Sequence, residues 1–294
     1  MELTDINYVR YLLDKHGTRT KKGLGQNFIV NPTVCPRMAE SCGADKNCGV
    51  LEVGCGVGVL TRELSRVAAK VVCVEIDETL FPILDETLAD CDNVEIVHGD
   101  ILKTDVAALI RENFGDMPVF VCANLPYYIT TPVMMKLLET GGFSALTLMV
   151  QKEFAARLTA APGTPDYGAL TATAAFRART ELLFGVSAGS YLPRPKVDSA
   201  VVRLTPYEAP PVAVTSEQTY FAVVRAAFAQ RRKMLSNSLS ALCGKQVAAD
   251  ALAQAGVPPT ARGETLGVAE FAAVANAVDA LRRKADQQGR CVGM

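Results

Sequence analysis

Between residues 49 and 205 short apolar runs alternate with longer amphipathic stretches, and that alternation confines the chain to βαβ units wound about a mainly parallel sheet. Runs at 49–53, 70–75, 93–98, 118–123, 145–150, 181–187 and 200–205 read as strands, each short and apolar. Helical spacing over 59–68, 78–89, 105–113 and 132–140 supplies crossovers between the first five. No full helix separates the last two strands, so an antiparallel pairing is expected at one edge. After Pro206 a proline-rich connector (206–214) leads into segments of helical spacing at 217–230, 233–243, 247–256 and 268–285. The pattern implies one domain over 1–206 and a small all-helical one over 207–294, with the tail 286–294 disordered.

A chain of 294 residues, 49% of them apolar, can bury a sizeable core. Its first thirty residues mix charge with apolar positions, unlike a signal peptide, and no stretch approaches the roughly 18–20 apolar residues that span a bilayer. The expected location is the cytoplasm, with no membrane partner. Nine cysteines, odd in number, scattered and without a Cys-x-x-Cys pair, read as reduced and mostly buried thiols. Two histidines, His16 and His98, stand apart from any ligand cluster, so no metal is expected and a Ser-His-Asp hydrolase is poorly supported. The net charge of −1 argues, taken alone, against a nucleic-acid partner. It conceals an uneven distribution: residues 75–116 hold twelve acids against two bases. Bases gather elsewhere: Arg10, Lys15, Arg19, Lys21 and Lys22; Arg177 and Arg179; Arg194, Lys196 and Arg203; and Arg225, Arg231, Arg232 and Lys233. Brought to one side they make a phosphate-binding face; scattered, they are solvated charges.

Gly54, Gly56 and Gly58 follow the first strand and precede a helix, where open α/β sheets bind ligands. Their Gly-x-Gly-x-Gly spacing differs from the Gly-x-Gly-x-x-Gly of a dinucleotide site, and no proton-relay residues accompany it, which weakens a nicotinamide dehydrogenase reading. Alone, such a turn could be purely structural. Glu75 ends the second strand, 21 residues after Gly54, where a carboxylate can accept from ribose hydroxyls, and Asp100 closes the third, where it can meet an adenine amino group. Either acid alone could be a helix cap or a surface charge; the succession of strand ends points to a nucleoside cofactor.

The fourth strand ends in Asn124-Leu125-Pro126-Tyr127. An adenine 6-amino nitrogen is a poor nucleophile because its lone pair is delocalised into the ring. Two acceptors aimed at its N–H bonds, the Asn124 side-chain oxygen and the Leu125 carbonyl, would free that pair toward a sulfonium methyl donor. Pro126 restricts the turn and Tyr127 offers a ring for stacking. In isolation the same four residues could be a proline-stiffened loop.

The stretches 21–28, 51–58, 74–77, 99–100, 124–132, 149–158, 162–170, 191–204, 228–239 and 262–271 together resemble the ribosomal RNA adenine dimethyltransferases, nearly throughout the chain and most closely the small-subunit branch. The resemblance implies a Rossmann-like methyltransferase fold, an S-adenosyl-L-methionine-binding catalytic domain and a helical RNA-binding domain. It implies N6,N6-dimethylation of two adjacent adenosines near the 3′ end of small-subunit ribosomal RNA, by a monomer acting on the assembling 30S particle. By resemblance Gln26, Asn27 and Ile29 cover the methionine end of the cofactor, while Gly54, Gly56, Glu75, Asp100 and Asn124 line the rest. Tyr191, standing where the family has an aromatic and usually Phe, is expected to sandwich the base opposite Tyr127, its hydroxyl needing a partner. Arg231, Arg232 and Lys233, with Lys21 and Lys22, are expected to meet RNA, unless the former are a solvated helix end. Cys55 stands where Pro is common and Gly267 where a capping Ser is common, with small effects expected. A large-subunit enzyme of the antibiotic-resistance branch and a non-catalytic RNA-binding assembly factor are the alternatives; retention of the cofactor acids and of Asn-Leu-Pro-Tyr speaks against the latter.

Overall fold

The computed structural model describes residues 2–230 and 233–291. Two compact units divide the chain, one within 1–155 and 180–206 and the other within 156–179 and 207–294. The expected break at 206 recurs, but 156–179, expected in the first domain, packs with the helices of the second.

The sheet has seven strands: β1 (Gly49–Val53), β2 (Lys70–Glu75), β3 (Val94–His98), β4 (Val119–Asn124), β5 (Phe143–Gln151), β6 (Ala178–Val186) and β7 (Ser199–Pro206). Their spatial order is β3-β2-β1-β4-β5-β7-β6. The first five pair in parallel, and β7 runs antiparallel to β5. Strand order reverses between β1 and β4, and such a reversal opens a crevice beyond the strands' carboxyl ends.

In the first unit, helices α1 (Ile6–Lys15), α2 (Val34–Cys42), α3 (Val59–Val67), α4 (Phe81–Thr87), α5 (Val106–Phe114) and α6 (Thr130–Thr140) accompany the sheet. The four crossovers stand where periodicity places them, with one shortening: 78–80 is a 3-10 turn and α4 begins only at Phe81. Pro82 explains this, since it has no N–H to return to the turn before it. Val9, Leu12, Met38 and Leu64 of α1–α3 are fully buried with Val50 and Val71 of the sheet, each contributing about 1.5–3 kcal/mol of apolar burial. A two-residue ribbon, Phe28–Ile29 antiparallel to Tyr191–Leu192, joins that core.

Helix α7 (Lys152–Leu158) lies where the chain passes between units. The second unit contains α8 (Ala169–Arg177), α9 (Glu217–Ala229), α10 (Leu235–Cys243), α11 (Lys245–Gln254) and α12 (Val268–Cys291). Phe176 of α8 stacks on Tyr220 of α9 with centroids 4.3 Å apart, and this buried pair is why α8 belongs to the helical core. The Gly267 N–H, just before α12, donates to Glu270 Oε2 at 3.0 Å, so the glycine's missing hydroxyl leaves half of a capping box in place. α12 continues to Cys291, through residues expected to lack structure. Cys55 is buried in the first unit's core, as expected of a small apolar residue.

Gly49 opens β1 against the ring of Phe114, and a Cβ there would lie 2.2 Å from Phe114 Cδ1. Gly49→Ala is therefore expected to destabilise the protein by about 1–3 kcal/mol, read as a lower urea midpoint at unchanged m-value.

Candidate active site

The carboxyl ends of β1, β2, β3 and β4 open on a cavity of about 270 Å³. Gly54 and Gly56 shape its floor, with φ of +75° and +58°, a region costing other residues roughly 1–2 kcal/mol. At Gly56 space is also short: a Cβ would come 3.1 Å from the Phe28 ring. Glu75 is buried, its Oε2 accepting from Gly56 N–H at 3.2 Å and its Oε1 from Asp77 N–H at 2.9 Å. Burial raises its pKa above the ordinary carboxylate value, partly offset by those backbone donors. Asp100, half-buried, accepts from Leu102 N–H at 3.0 Å, which turns the chain and holds the carboxylate at the cavity's edge.

Residues 24–27 form another part of the wall, the end of a strap that begins at Lys21, and Asp77, which its place in the sequence does not single out, anchors it. The Asp77 side chain is fully buried and receives Lys21 Nζ at 2.6 Å and Gln26 Nε2 at 2.6 Å, besides Thr79 Oγ1 at 2.6 Å. Burial alone would push this carboxyl up; the hydrogen bonds from Lys21, Thr79 and Gln26 outweigh it and hold it below the usual range. Lys21 N–H also donates to Gln26 Oε1 at 2.7 Å. Gln26 thus lines the cavity while its oxygen and one N–H are committed to the strap. Lys21, expected at RNA, is committed to Asp77 instead, because a buried carboxylate holds its nearest cation strongly.

Asn124 ends β4 and donates from Nδ2 to the Asn27 carbonyl at 3.3 Å, while Asn27 Nδ2 donates to Gly25 O at 2.9 Å. With its nitrogen tied to the strap, Asn124 presents Oδ1 as the acceptor, to which no described residue donates. Leu125 N–H is anchored to Met149 O at 3.2 Å, and the Pro126 carbonyl is used by Ile129 N–H and Thr130 Oγ1. Tyr127 and Tyr191 both line the cavity, and their hydroxyls meet at the buried Ser199: Tyr127 OH at 2.8 Å, Tyr191 OH at 2.7 Å. Tyr191 OH also donates to Met149 Sδ at 3.0 Å, and burial raises its pKa.

The expected residues Gln26, Asn27, Gly54, Gly56, Glu75, Asp100, Asn124, Leu125, Pro126, Tyr127 and Tyr191 all line this cavity. Ile29 does not: buried and paired with Tyr191 in the ribbon, it lines instead a small neighbouring void of about 30 Å³ with Glu52, Gly54 and Asn124. Lys22 and Lys233 are exposed, and Arg231 and Arg232 lie outside the described residues. Ile76 and Tyr128, exposed by 46% and 59% although apolar or aromatic, also line the cavity and were not anticipated. Their signal was position alone, each following an anticipated residue.

Two acids and no lysine or arginine face this cavity, so it suits a cationic nucleoside and not the pyrophosphate of a dinucleotide. Among the described residues no cluster could hold a metal ion, and no helix is long and apolar enough to cross a membrane. Sheet order, switch-point crevice and acidic nucleoside cavity define a Rossmann-like methyltransferase. The chain belongs to the ribosomal RNA adenine dimethylase family, whose model matches residues 17–280, and its cofactor is S-adenosylmethionine. It is 47% identical over 268 residues to the ribosomal RNA small subunit methyltransferase A of Anoxybacillus flavithermus, covering 89% of this chain and 91% of that one. The protein of the same name from Enterococcus faecalis is 41% identical over 285 residues, covering 95% and 97%. Among solved structures, a dimethyladenosine transferase from Plasmodium falciparum aligns with a TM-score of 0.72 at 26% identity, covering 84% and 95%. The 23S rRNA methyltransferase ErmE aligns with a TM-score of 0.67 at 28% identity, covering 86% and 100%.

Glu52, buried in β1 behind the glycine turn, has an Oε2 without a hydrogen-bond partner among the described residues. Burial pushes its carboxyl from 4.5 up to about 8, opposed by the Thr61 hydroxyl and reinforced by the charge of Glu75. The fold therefore favours the protonated form. Its contribution to stability is complete below pH 4.5 and is lost as pH rises toward 8. Unfolding free energy should fall between pH 6 and 8, by at most about 1.4 kcal/mol per pH unit from this group. Glu52→Gln should flatten that slope in urea titrations across the range.

Proposed function

We propose that the enzyme dimethylates the 6-amino groups of two adjacent adenosines near the 3′ end of small-subunit ribosomal RNA, as a monomer in the cytoplasm acting on the assembling 30S particle. The orientation of Asn124 carries the reading of the site: Nδ2 held by the Asn27 carbonyl leaves Oδ1 to accept from the target amine. The small-subunit target is supported by relatives of that name matched over 91–97% of their length.

S-adenosylmethionine, when bound, supplies an electrophilic methyl group and a good leaving group. Glu75 would hold it by accepting from ribose hydroxyls and Asp100 by accepting from an adenine amino group, with Gly54 and Gly56 leaving room for close approach. Asn124 Oδ1 and the Leu125 carbonyl accept the two N–H bonds of the target amine and localise its lone pair on nitrogen. Tyr127 and Tyr191 hold the base by its faces, a contact worth about 1–3 kcal/mol per base. Alkylation makes the amine acidic, so its proton leaves without a strong base, and rate comes from alignment and charge placement.

Incubating the protein with labelled methyl donor and unmethylated small subunits, then mapping the modified nucleotides, tests this; modification of large-subunit RNA alone would overturn the target. Asn124→Ala should lower kcat by at least about 100-fold, with cofactor binding by calorimetry still measurable through Glu75 and Asp100. Near-normal turnover would refute the acceptor role. Replacing Arg231, Arg232 and Lys233 by Ala should weaken RNA binding and flatten its salt dependence; an unchanged slope would place the RNA contact elsewhere.

A further inference from the structure

The basic residues near the start of the chain fall into two groups once their partners are known. Lys15 pairs with Glu86 at 2.7 Å, His16 approaches the same carboxylate at 2.9 Å, and Lys21 is held by Asp77. Arg10 and Arg19 are exposed, and neither guanidinium has an ion pair or hydrogen bond with a described residue. Both line one open cleft of about 330 Å³, together with Leu13, Asp14, Thr20 and Pro193. Helical spacing explains the grouping on α1: Arg10, Leu13 and Asp14 stand three and four residues apart, on one face. Gly17, at φ +63°, then lets the chain turn to bring Arg19 and Thr20 to the same cleft.

Two features tie the cleft to the active site. Tyr191 lines the methyl-transfer cavity, and the next two residues, Leu192 and Pro193, line the cleft. Within the ribbon, successive side chains point to opposite faces, so Tyr191 and Leu192 make it a shared wall, and Pro193 follows just beyond it. On the other side Thr20 lines the cleft, and the following residue, Lys21, begins the strap pinned to Asp77. The cleft's charge is two guanidinium groups against the single carboxylate of Asp14, an excess of positive charge beside a cavity whose charged lining residues are both acids. Planar guanidinium forks match phosphate oxygens, and the apolar floor of Leu192 and Pro193 suits a ribose or a base face.

We infer that this cleft is a phosphodiester site, in which Arg10 and Arg19 grip the backbone of the substrate RNA strand beside the nucleotide entering the cavity. The inference rests on the RNA-modifying function proposed above and assigns to the first unit a contact independent of Arg231, Arg232 and Lys233. Arg10 and Arg19 act as positioning residues: they touch backbone and select no base.

The test is equilibrium binding of an unmethylated small-subunit ribosomal RNA transcript across a salt series, for wild type, R10A/R19A and R10K/R19K. For R10A/R19A the affinity should fall roughly ten- to a hundredfold, and the slope of log K against log salt should shrink by about 1.4–1.8. R10K/R19K keeps the charges and should restore the slope, though not the whole affinity. S-adenosylmethionine binding by calorimetry should match wild type in both, which also shows the variants folded, since both side chains are exposed. Unchanged RNA affinity and slope in R10A/R19A would overturn the cleft, as would a loss of cofactor binding by either variant. Methyl transfer by the wild type, run in parallel on the same transcript and on small subunits, reports separately on the function: a wild type that binds RNA with Arg10- and Arg19-dependent salt sensitivity but methylates neither would sink the proposed reaction and leave the cleft standing.

Discussion

The active site depends on one buried carboxylate. Asp77 lies beneath the strap 21–27 with its side chain wholly removed from solvent, and an unpaired charge there would be costly by several kcal/mol. Lys21 and Gln26 relieve that cost, and in doing so they fix the strap against the end of β2. The strap in turn offers the Asn27 carbonyl to Asn124. The ion pair that fixes the strap thereby bears on which end of the Asn124 amide faces the cavity. Freed from Asn27, the amide could rotate and present a donor, and a donor facing an amine's N–H bonds would repel them.

Charge is sorted within the first unit in a way that the near-neutral total hides. The cavity walls carry Glu75 and Asp100 and no base, which favours a sulfonium and disfavours stray phosphate. Arg10 and Arg19 lie outside it without an ion pair among the described residues, while Lys15 and Lys21 are paired with acids of the 75–116 segment. The acid-rich stretch thus has two uses. Glu75 and Asp100 line the cavity, and Asp77 and Glu86 hold Lys21 and Lys15 of the N-terminal segment.

What was legible in the sequence follows from the range of the interaction concerned. Glu75 and Asn124 could be placed because each ends a strand, and Asp100 because it follows one by two residues; strand ends share one edge in a parallel sheet. The Asp77 clamp was not legible, since it joins residues 51 and 56 positions apart through side chains that are each unremarkable alone. The ribbon at 28–29 and 191–192 is too short to leave a period, and α1 and α2 lie outside the alternating region that organised the reading. The segment 156–179 was assigned by its place between strands, whereas the Phe176–Tyr220 stack decided its packing. Ile29 enters only by resemblance as a cofactor contact, and the structure buries it against a small void shared with Gly54 and Asn124.

Tyr191 shows how a departure from the family pattern is accommodated. A phenylalanine there needs no partner, but a buried phenol left unpaired would cost about 1–3 kcal/mol. Ser199 and Met149 supply the partners, and both belong to the β5–β7 antiparallel pair, so the hydroxyl is met by rigid sheet and not by loop. Ser199 also receives the hydroxyl of Tyr127. The two rings are therefore held by their hydroxyl ends at a common point. The extra hydroxyl of Tyr191 thus links two aromatic residues that line the cavity, a coupling that phenylalanine at the same position could not provide.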